Sequence, residues 1–333
     1  MSAGAELNVG VVGVGSLGYH HARLLKDLPD VRLAGVFDTR QDRLAEVAST
    51  LSVEASTTLD ALLDRVDACV IAVPTEAHEE VARRALERGV HVLIEKPIAP
   101  TLDSADRILE AAVRSGALIQ IGHVERFNGA LRACEPYLEE PLFVESHRLA
   151  PFGPRGTDVA VVLDLMIHDL DLVLSLMRRP VVSVAAVGVP VLTPSPDIAN
   201  ARLEFEGGGV ANLTASRVSV ERMRKIRFFQ RSGYISLDLA AGTGEYLRLR
   251  PGLSFAPGRP LGATRLEEII ERVPFRADGV EPLRCELDSF VAAVRGEGPV
   301  AVSGDEGRSA LAVALEIVER IHVHVAQGHG SPA

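Results

Sequence analysis

Two places in the sequence carry residue types suited to moving a proton: Glu95-Lys96-Pro97, and Asp164 with His168 one helical turn later. A lysine amine serves as a base near neutral pH once burial or a neighbouring cation depresses its pKa. A carboxylate four residues before a histidine can accept the imidazole N–H, fix the tautomer and raise its basicity, leaving the other nitrogen for a substrate hydroxyl. Helical spacing over Asp158 to Met177 puts Asp164, His168, Asp171 and Ser175 on one stripe of an otherwise aliphatic segment. A helix so apolar must be largely buried, and its polar groups must find partners or titrate unusually. A core histidine satisfied by its neighbours would fit the same pattern. No second histidine follows at helical spacing, and Cys69, Cys134 and Cys285 have no metal-ligand spacing, so no metal is expected.

A third motif binds rather than reacts. Gly13-Val14-Gly15-Ser16-Leu17-Gly18 follows a Val-rich strand pattern and precedes a helical one, His20 to Leu28. Glycines there permit a tight turn and let backbone N–H groups approach a pyrophosphate at a helix N-terminus. Asp38 ends the second strand pattern, where a carboxylate can accept the ribose hydroxyls of NAD and repel the extra phosphate of NADP. Arg40 weakens that preference, since a guanidinium accommodates a 2′-phosphate.

The elements that must position these residues fall into two grammars. From residue 8 to 122, short β-rich runs alternate with helical periods: Asn8 to Gly13, Arg32 to Phe37, a weaker run near Ser52 to Ala55, Ala68 to Val73, His91 to Glu95 and Leu118 to Gly122. That is the pattern of an α/β Rossmann doubly wound parallel sheet. Val73-Pro74-Thr75, Glu95-Lys96-Pro97 and Gly122-His123 then fall at strand ends, where such sheets bind ligands. Pro74, Thr75, His78, Glu95 and Lys96 therefore join Gly13, Gly15, Ser16, Leu17, Gly18, Asp38 and Arg40 as cofactor-binding candidates.

After Pro141, strand patterns succeed one another at Leu142 to Leu149, Val181 to Val189, Ala201 to Glu206, Val210 to Arg217, Lys225 to Arg231 and Tyr234 to Leu239. They imply a C-terminal α+β domain with an open, largely antiparallel sheet. The expected division is 1–122 for dinucleotide binding and 123–333 for substrate binding and oligomerisation. The final helices, Glu281 to Val294 and Asp305 to Val325, are free to pack back on the first domain.

Composition excludes other classes. The chain has 333 residues, 47% hydrophobic and 24% charged, which disfavours extended disorder. A net charge of −10 disfavours nucleic-acid binding. No uninterrupted apolar run is long enough for a membrane span, and no leader or disulfide framework is evident, so a cytoplasmic location is expected. The 35 basic residues comprise 3 lysines and 32 arginines. In such a chain a lysine at Lys96 stands out as an amine able to change protonation, which arginine cannot do.

The ordered set of GxGxxG, Asp38, Pro74 with His78, Glu95-Lys96-Pro97 and Asp164-xxx-His168 resembles the Gfo/Idh/MocA oxidoreductase family along essentially the whole chain. The resemblance implies an NAD(P)-binding Rossmann domain and a second domain whose sheet forms a homo-oligomer interface. It also implies proton handling by Lys96, Asp164 and His168 while hydride passes to nicotinamide. Lys96 and His168 both remain candidates for the immediate base.

The runs Gly122-His123-Val124-Glu125-Arg126-Phe127-Asn128 and Val162 to Asp171 are similar to a narrower branch, the UDP-N-acetylglucosamine 3-dehydrogenases. That branch makes a 3-oxo sugar, which a PLP-dependent aminotransferase aminates for lipid A. Gly129 stands where the branch continues with proline, which implies a looser turn. A nucleotide-sugar substrate makes His123, Arg126, Asn128, Arg155 and His168 substrate-binding candidates, with Arg148 a further cation near the cleft. The basic run Arg222, Arg224, Lys225, Arg227 and Arg231 is better read as the solvated face of a strand or a subunit interface, because alternation puts Lys225, Arg227 and Arg231 on one face and Ile226 and Phe228 on the other. A free-sugar, inositol or sugar-acid dehydrogenase and a redox-silent dinucleotide-binding regulator are the alternatives.

Overall fold

The computed structural model describes residues 6–153, 159–250 and 266–328. The chain forms two compact units, one of residues 1–124 and 281–312, the other of residues 125–280 and 313–333. Residues 281–312 thus belong with the first unit, although they follow residues 125–280 of the second in sequence.

The first unit is built on a parallel sheet of β1 (Leu7–Val12), β2 (Val31–Phe37), β3 (Ala68–Ile71), β4 (His91–Glu95) and β5 (Ile119–Gly122), ordered β2-β1-β3-β4-β5. Its central strands are apolar on both faces, as a sheet covered by helices on both sides requires. Val9, Val11, Val70 and Leu93 are fully buried. The helices between them are α1 (Ser16–Lys26), α2 (Gln41–Leu51), α3 (Leu59–Leu63), α4 (His78–Leu86) and α5 (Leu102–Ser115). The weak strand expected near Ser52 to Ala55 is a single parallel bridge, Ala55 to Val36, beside β2. Buried Ala22 and Leu25 of α1 share one core with Leu287 and Phe290 of a helix near the C-terminus.

The second unit carries a short helix, α6 (Gly129–Cys134), then β6 (Phe143–Leu149) and α7 (Ile167–Met177). Beyond these come β7 (Val181–Val189), β8 (Ile198–Phe205), β9 (Val210–Ser216), β10 (Met223–Gln230), β11 (Gly233–Asp238) and β12 (Thr243–Leu249). One turn of helix, α8 (Leu266–Ile269), leads into β13 (Ile270–Arg276). The eight strands form one sheet in the order β13-β12-β11-β10-β6-β9-β8-β7. Neighbours are antiparallel except β6 with β9. Ala199, Ala201, Leu203 and Phe205 of β8 are buried while their alternates are exposed, so one face of the sheet is packed.

The sequence reading omits β12 and β13. Charges break the alternation in both, at Glu245 and Arg248 in β12 and at Glu271, Arg272 and Arg276 in β13, and Pro274 sits in β13, an edge strand, where a missing N–H leaves no ladder bond unmade.

The chain ends with α9 (Pro282–Arg295), the helix that returns to the first unit, and α10 (Gly304–Gly328), which begins in the first unit and ends in the second. Among the described residues no helix is long and apolar enough to cross a membrane.

The helix expected from Asp158 to Met177 is not uniform. Asp158 lies outside the described residues, Val162–Met166 is a π-helical turn, and α7 continues it until Arg178 turns left-handed with φ 50°. The turn at Gly129 is tight rather than loose. Asn128 caps α6, and a Cβ added at Gly129 would stand 2.5 Å from the Ala277 methyl.

Candidate active site

The first unit provides a dinucleotide cradle whose glycines each do a different job. Gly13 has φ +85°, and a Cβ there would lie 2.7 Å from the Ala72 carbonyl oxygen. At Gly18 a Cβ would come within 1.8 Å of the Gly13 carbonyl oxygen, so only glycine lets α1 meet the strand end. A Cβ at Gly15 would meet nothing within 4 Å, which leaves that face open for a ligand's approach. Ser16 and Leu17 follow, both exposed. No side chain caps α1 and no acidic residue sits in its first turn, which leaves its positive dipole end for an anion. Arg43, absent from the sequence expectations, donates from Nε to the Val14 carbonyl at 2.8 Å and fixes the loop.

Asp38 is buried at the tip of β2. Its Oδ2 accepts the Val14 N–H at 2.8 Å and its Oδ1 accepts the Arg40 N–H at 2.9 Å. The Arg40 guanidinium reaches to 3.8 Å of the same carboxylate and is otherwise exposed. A cavity of about 920 Å³ opens here, lined among others by Gly13, Gly15, Asp38, Arg40, Pro74 and Arg84. Open glycine backbone beside a carboxylate and a helix N-terminus fits a dinucleotide.

At the neighbouring strand ends, Thr75 opens a short 3₁₀ turn after Pro74. His78 is buried, and its two ring nitrogens lie 3.0 Å from the carbonyl oxygens of Val73 and Pro97. Burial holds its pKa below the ordinary imidazole value, although both carbonyls favour the charged form. His78 thus braces two loops at the strand ends where the sequence places it. Lys96 is half-buried at the end of β4, its N–H donating to Glu95 Oε2 at 3.3 Å, and its peptide bond to Pro97 is cis. His123 is buried just past β5.

In the second unit Asp164 and His168 are both half-buried, Asp164 inside the π turn and His168 in the first turn of α7. His168, Asp171 and Ser175 share the regular turns of α7, whereas Asp164 lies in the π turn before them, where the α-helical spacing to His168 does not hold; such turns recur at functional sites. Asp171 is buried against Arg126, which donates from Nε and Nη2 at 2.6 and 2.8 Å. Asp169 receives the same fork from buried Arg148 at 3.0 and 2.8 Å, and Arg148 also donates to Glu125 at 2.9 Å. Burial would lower the Arg148 pKa, but Asp169 and Glu125 outweigh it and hold the guanidinium above its ordinary value.

Two arginines expected to meet substrate phosphates therefore anchor the helix that carries His168. Asn128 is likewise occupied, donating to Glu125 at 3.1 Å and to the Leu239 carbonyl at 3.0 Å while its oxygen caps α6. Spacing along the chain carries no signal for the Arg126–Asp171, Arg148–Asp169 and Asn128–Leu239 pairings, because those partners come from distant elements. Arg155 lies outside the described residues. Of the basic run, Lys225 and Arg227 stand on the exposed face of β10 beside Asp238 and Glu145, whereas Arg224 shares the parity of buried Ile226 and Phe228 and lies 3.6 Å from buried Glu125.

A further clasp was not anticipated. Buried Asp197 accepts N–H groups of Val191, Leu192 and Thr193 at 2.8, 2.6 and 2.9 Å. Burial alone would raise its pKa, but these donors and the Thr193 hydroxyl bring it down to about 2. Arg217, 3.5 Å from Asp197, donates to the carbonyls of Val159 and Pro196, and the Val161 N–H also donates to Pro196. The start of the His168 helix is thereby held.

The family description "Oxidoreductase family, NAD-binding Rossmann fold" matches residues 7–123, and the Gfo/Idh/MocA C-terminal domain matches residues 107–236. The chain is 38% identical over 317 residues to UDP-N-acetylglucosamine 3-dehydrogenase of Acidithiobacillus ferrooxidans, covering 94% of this chain and 96% of that one. This chain belongs to the Gfo/Idh/MocA oxidoreductase family.

A crystal structure of the Acidithiobacillus enzyme superposes with a TM-score of 0.87 at 37% identity, over 95% of this chain and 98% of that one. Myo-inositol 2-dehydrogenase of Thermotoga maritima is a more distant relative, 28% identical over 92% of this chain and 93% of its own. The protein is thus an NAD-binding dehydrogenase of a family that acts on sugar hydroxyls.

Proposed function

We propose that this protein oxidises the 3-hydroxyl of UDP-N-acetylglucosamine to the 3-oxo sugar, with NAD⁺ as acceptor. The observation that carries the proposal is 38% identity to an enzyme of that activity across nearly the full length of both chains. Lys96, Asp164 and His168 stand in the sequence positions that handle the hydroxyl proton in the family resemblance.

The dinucleotide supplies the hydride acceptor when bound, held by Gly13, Gly15, Ser16, Leu17 and Gly18 at its pyrophosphate and by Asp38 at its ribose. Everything else belongs to this chain's side chains. Lys96 or His168 takes the hydroxyl proton as the carbon gives up its hydrogen with both electrons, so a C–H and an O–H bond are exchanged for a carbonyl. Asp164 orients His168, and the Arg126 and Arg148 pairs keep α7 from turning. His123 and Arg155 are the substrate contacts still assigned with His168. In this reading the ketone passes to a PLP-dependent aminotransferase on the way to lipid A, and the protein works in the cytoplasm as a homo-oligomer joined through its second sheet.

Oxidation of an inositol is the second reading, supported by the Thermotoga relative. Nicotinamide reduction followed at 340 nm with UDP-N-acetylglucosamine, myo-inositol, glucose and UDP-glucuronate separates them. Turnover is expected with the first. Robust turnover with inositol and none with the nucleotide sugar would reverse the order, and dinucleotide binding without turnover on any would favour a redox-silent regulator.

A further inference from the structure

Behind Lys96 lies a buried cluster that the proposed chemistry does not use. His21, one turn past Gly18 on α1, is completely buried, and its Nε2 is 2.7 Å from Glu95 Oε1. The other Glu95 oxygen accepts the Lys96 N–H at 3.3 Å, so the carboxylate is engaged on both sides. Glu286, also fully buried, arrives from α9, and polar atoms of His21, Glu95 and Glu286 all lie within 4.8 Å of one another. Gly122 makes room for this: a Cβ there would stand 3.0 Å from the Glu95 carboxyl carbon.

We propose that His21 is a positioning residue for Lys96, acting through the Glu95 carboxylate. The inference rests on the assignment of Lys96 to proton handling. A buried carboxylate with both oxygens bonded cannot change rotamer without losing a partner, and losing a partner in a dry site is costly. Lys96 is therefore held from two sides, by Glu95 through its own N–H and by His78 through the next carbonyl, Pro97. Two buried histidines on two different helices thus bracket the lysine. Since α1 begins at the glycine loop, His21 fixes the lysine's backbone relative to the cradle of the dinucleotide.

The test compares the wild type with His21→Leu, which removes the donor, and His21→Gln, whose amide can restore it. Hydrogen exchange of the Lys96 amide reads the clamp directly, and kcat per dinucleotide-binding site and the NAD dissociation constant read its consequence. His21→Leu should raise Lys96 exchange and lower kcat, each by roughly tenfold or more, with NAD affinity within about threefold. His21→Gln should recover most of both.

Unchanged Lys96 exchange in His21→Leu would overturn the proposal. Faster exchange with undiminished kcat would uphold the clamp and count against Lys96 as the proton-transfer residue. If His21→Leu does not fold, Glu95→Gln, which keeps the volume and loses one acceptor oxygen, is read in the same way.

Discussion

Lys96 and His168 carry the chemistry proposed here, and each can be removed without touching the glycine cradle. Lys96→Met and His168→Ala should keep NAD affinity within about threefold while lowering turnover by roughly 10²- to 10⁴-fold, the range general acid–base catalysis contributes. Titration of NAD alongside initial rates checks this, and near-normal turnover in either variant would remove that residue from proton transfer. Gly18→Ala should be worse for the fold, because its methyl would collide with the Gly13 carbonyl. A lowered melting temperature together with weakened NAD binding is the expected result. Much at this scale was legible in the sequence, since Gly13, Gly18, Asp38 and Lys96 owe their places to local geometry that spacing encodes. The pairings of Arg126, Asn128 and His78 with Asp171, Leu239 and Pro97 are not legible in spacing, because these partners come from elsewhere in the chain.

At the scale of elements, the helix bearing Asp164 and His168 depends on its ends and on its arginine anchors. Asp197 organises the loop before β8, and its folded pKa of about 2 lies below the usual 3.8. A depressed carboxylate contributes stability that is fully present above its unfolded pKa and is lost as pH falls through the folded one. Asp197→Asn should therefore flatten the loss of stability between pH 3.8 and about 2, and cost on the order of 2 kcal/mol at neutral pH. Denaturant unfolding at several pH values measures both.

Arg148→Met leaves Asp169 and Glu125 buried without their cation and should cost about 3–5 kcal/mol; unfolding within about 1 kcal/mol of wild type would show that the anchor is dispensable. Hydrophobic period locates all five strands of the first unit's sheet. It could not reveal the π turn, whose extra residue per turn is set by packing, nor β12 and β13, whose alternation is masked by charge and by Pro274.

The whole molecule joins a parallel α/β unit to a largely antiparallel one, with α9 returning to the first. The change of grammar after Pro141 announces two architectures, and the sequence leaves the last helices free to return to the first; the packing of Leu287 and Phe290 against α1 shows that α9 does so. The proposed function reduces at this scale to one transfer: in that reading the hydrogen on C3 of the sugar becomes the hydride on nicotinamide. UDP-N-acetylglucosamine deuterated at C3, incubated with NAD⁺ and the enzyme, tests it directly by mass spectrometry of the reduced cofactor. Deuterium in the NADH, with a slower rate than the protiated sugar, is the predicted result; turnover yielding NADH without deuterium, or no turnover of this sugar at all, would contradict it.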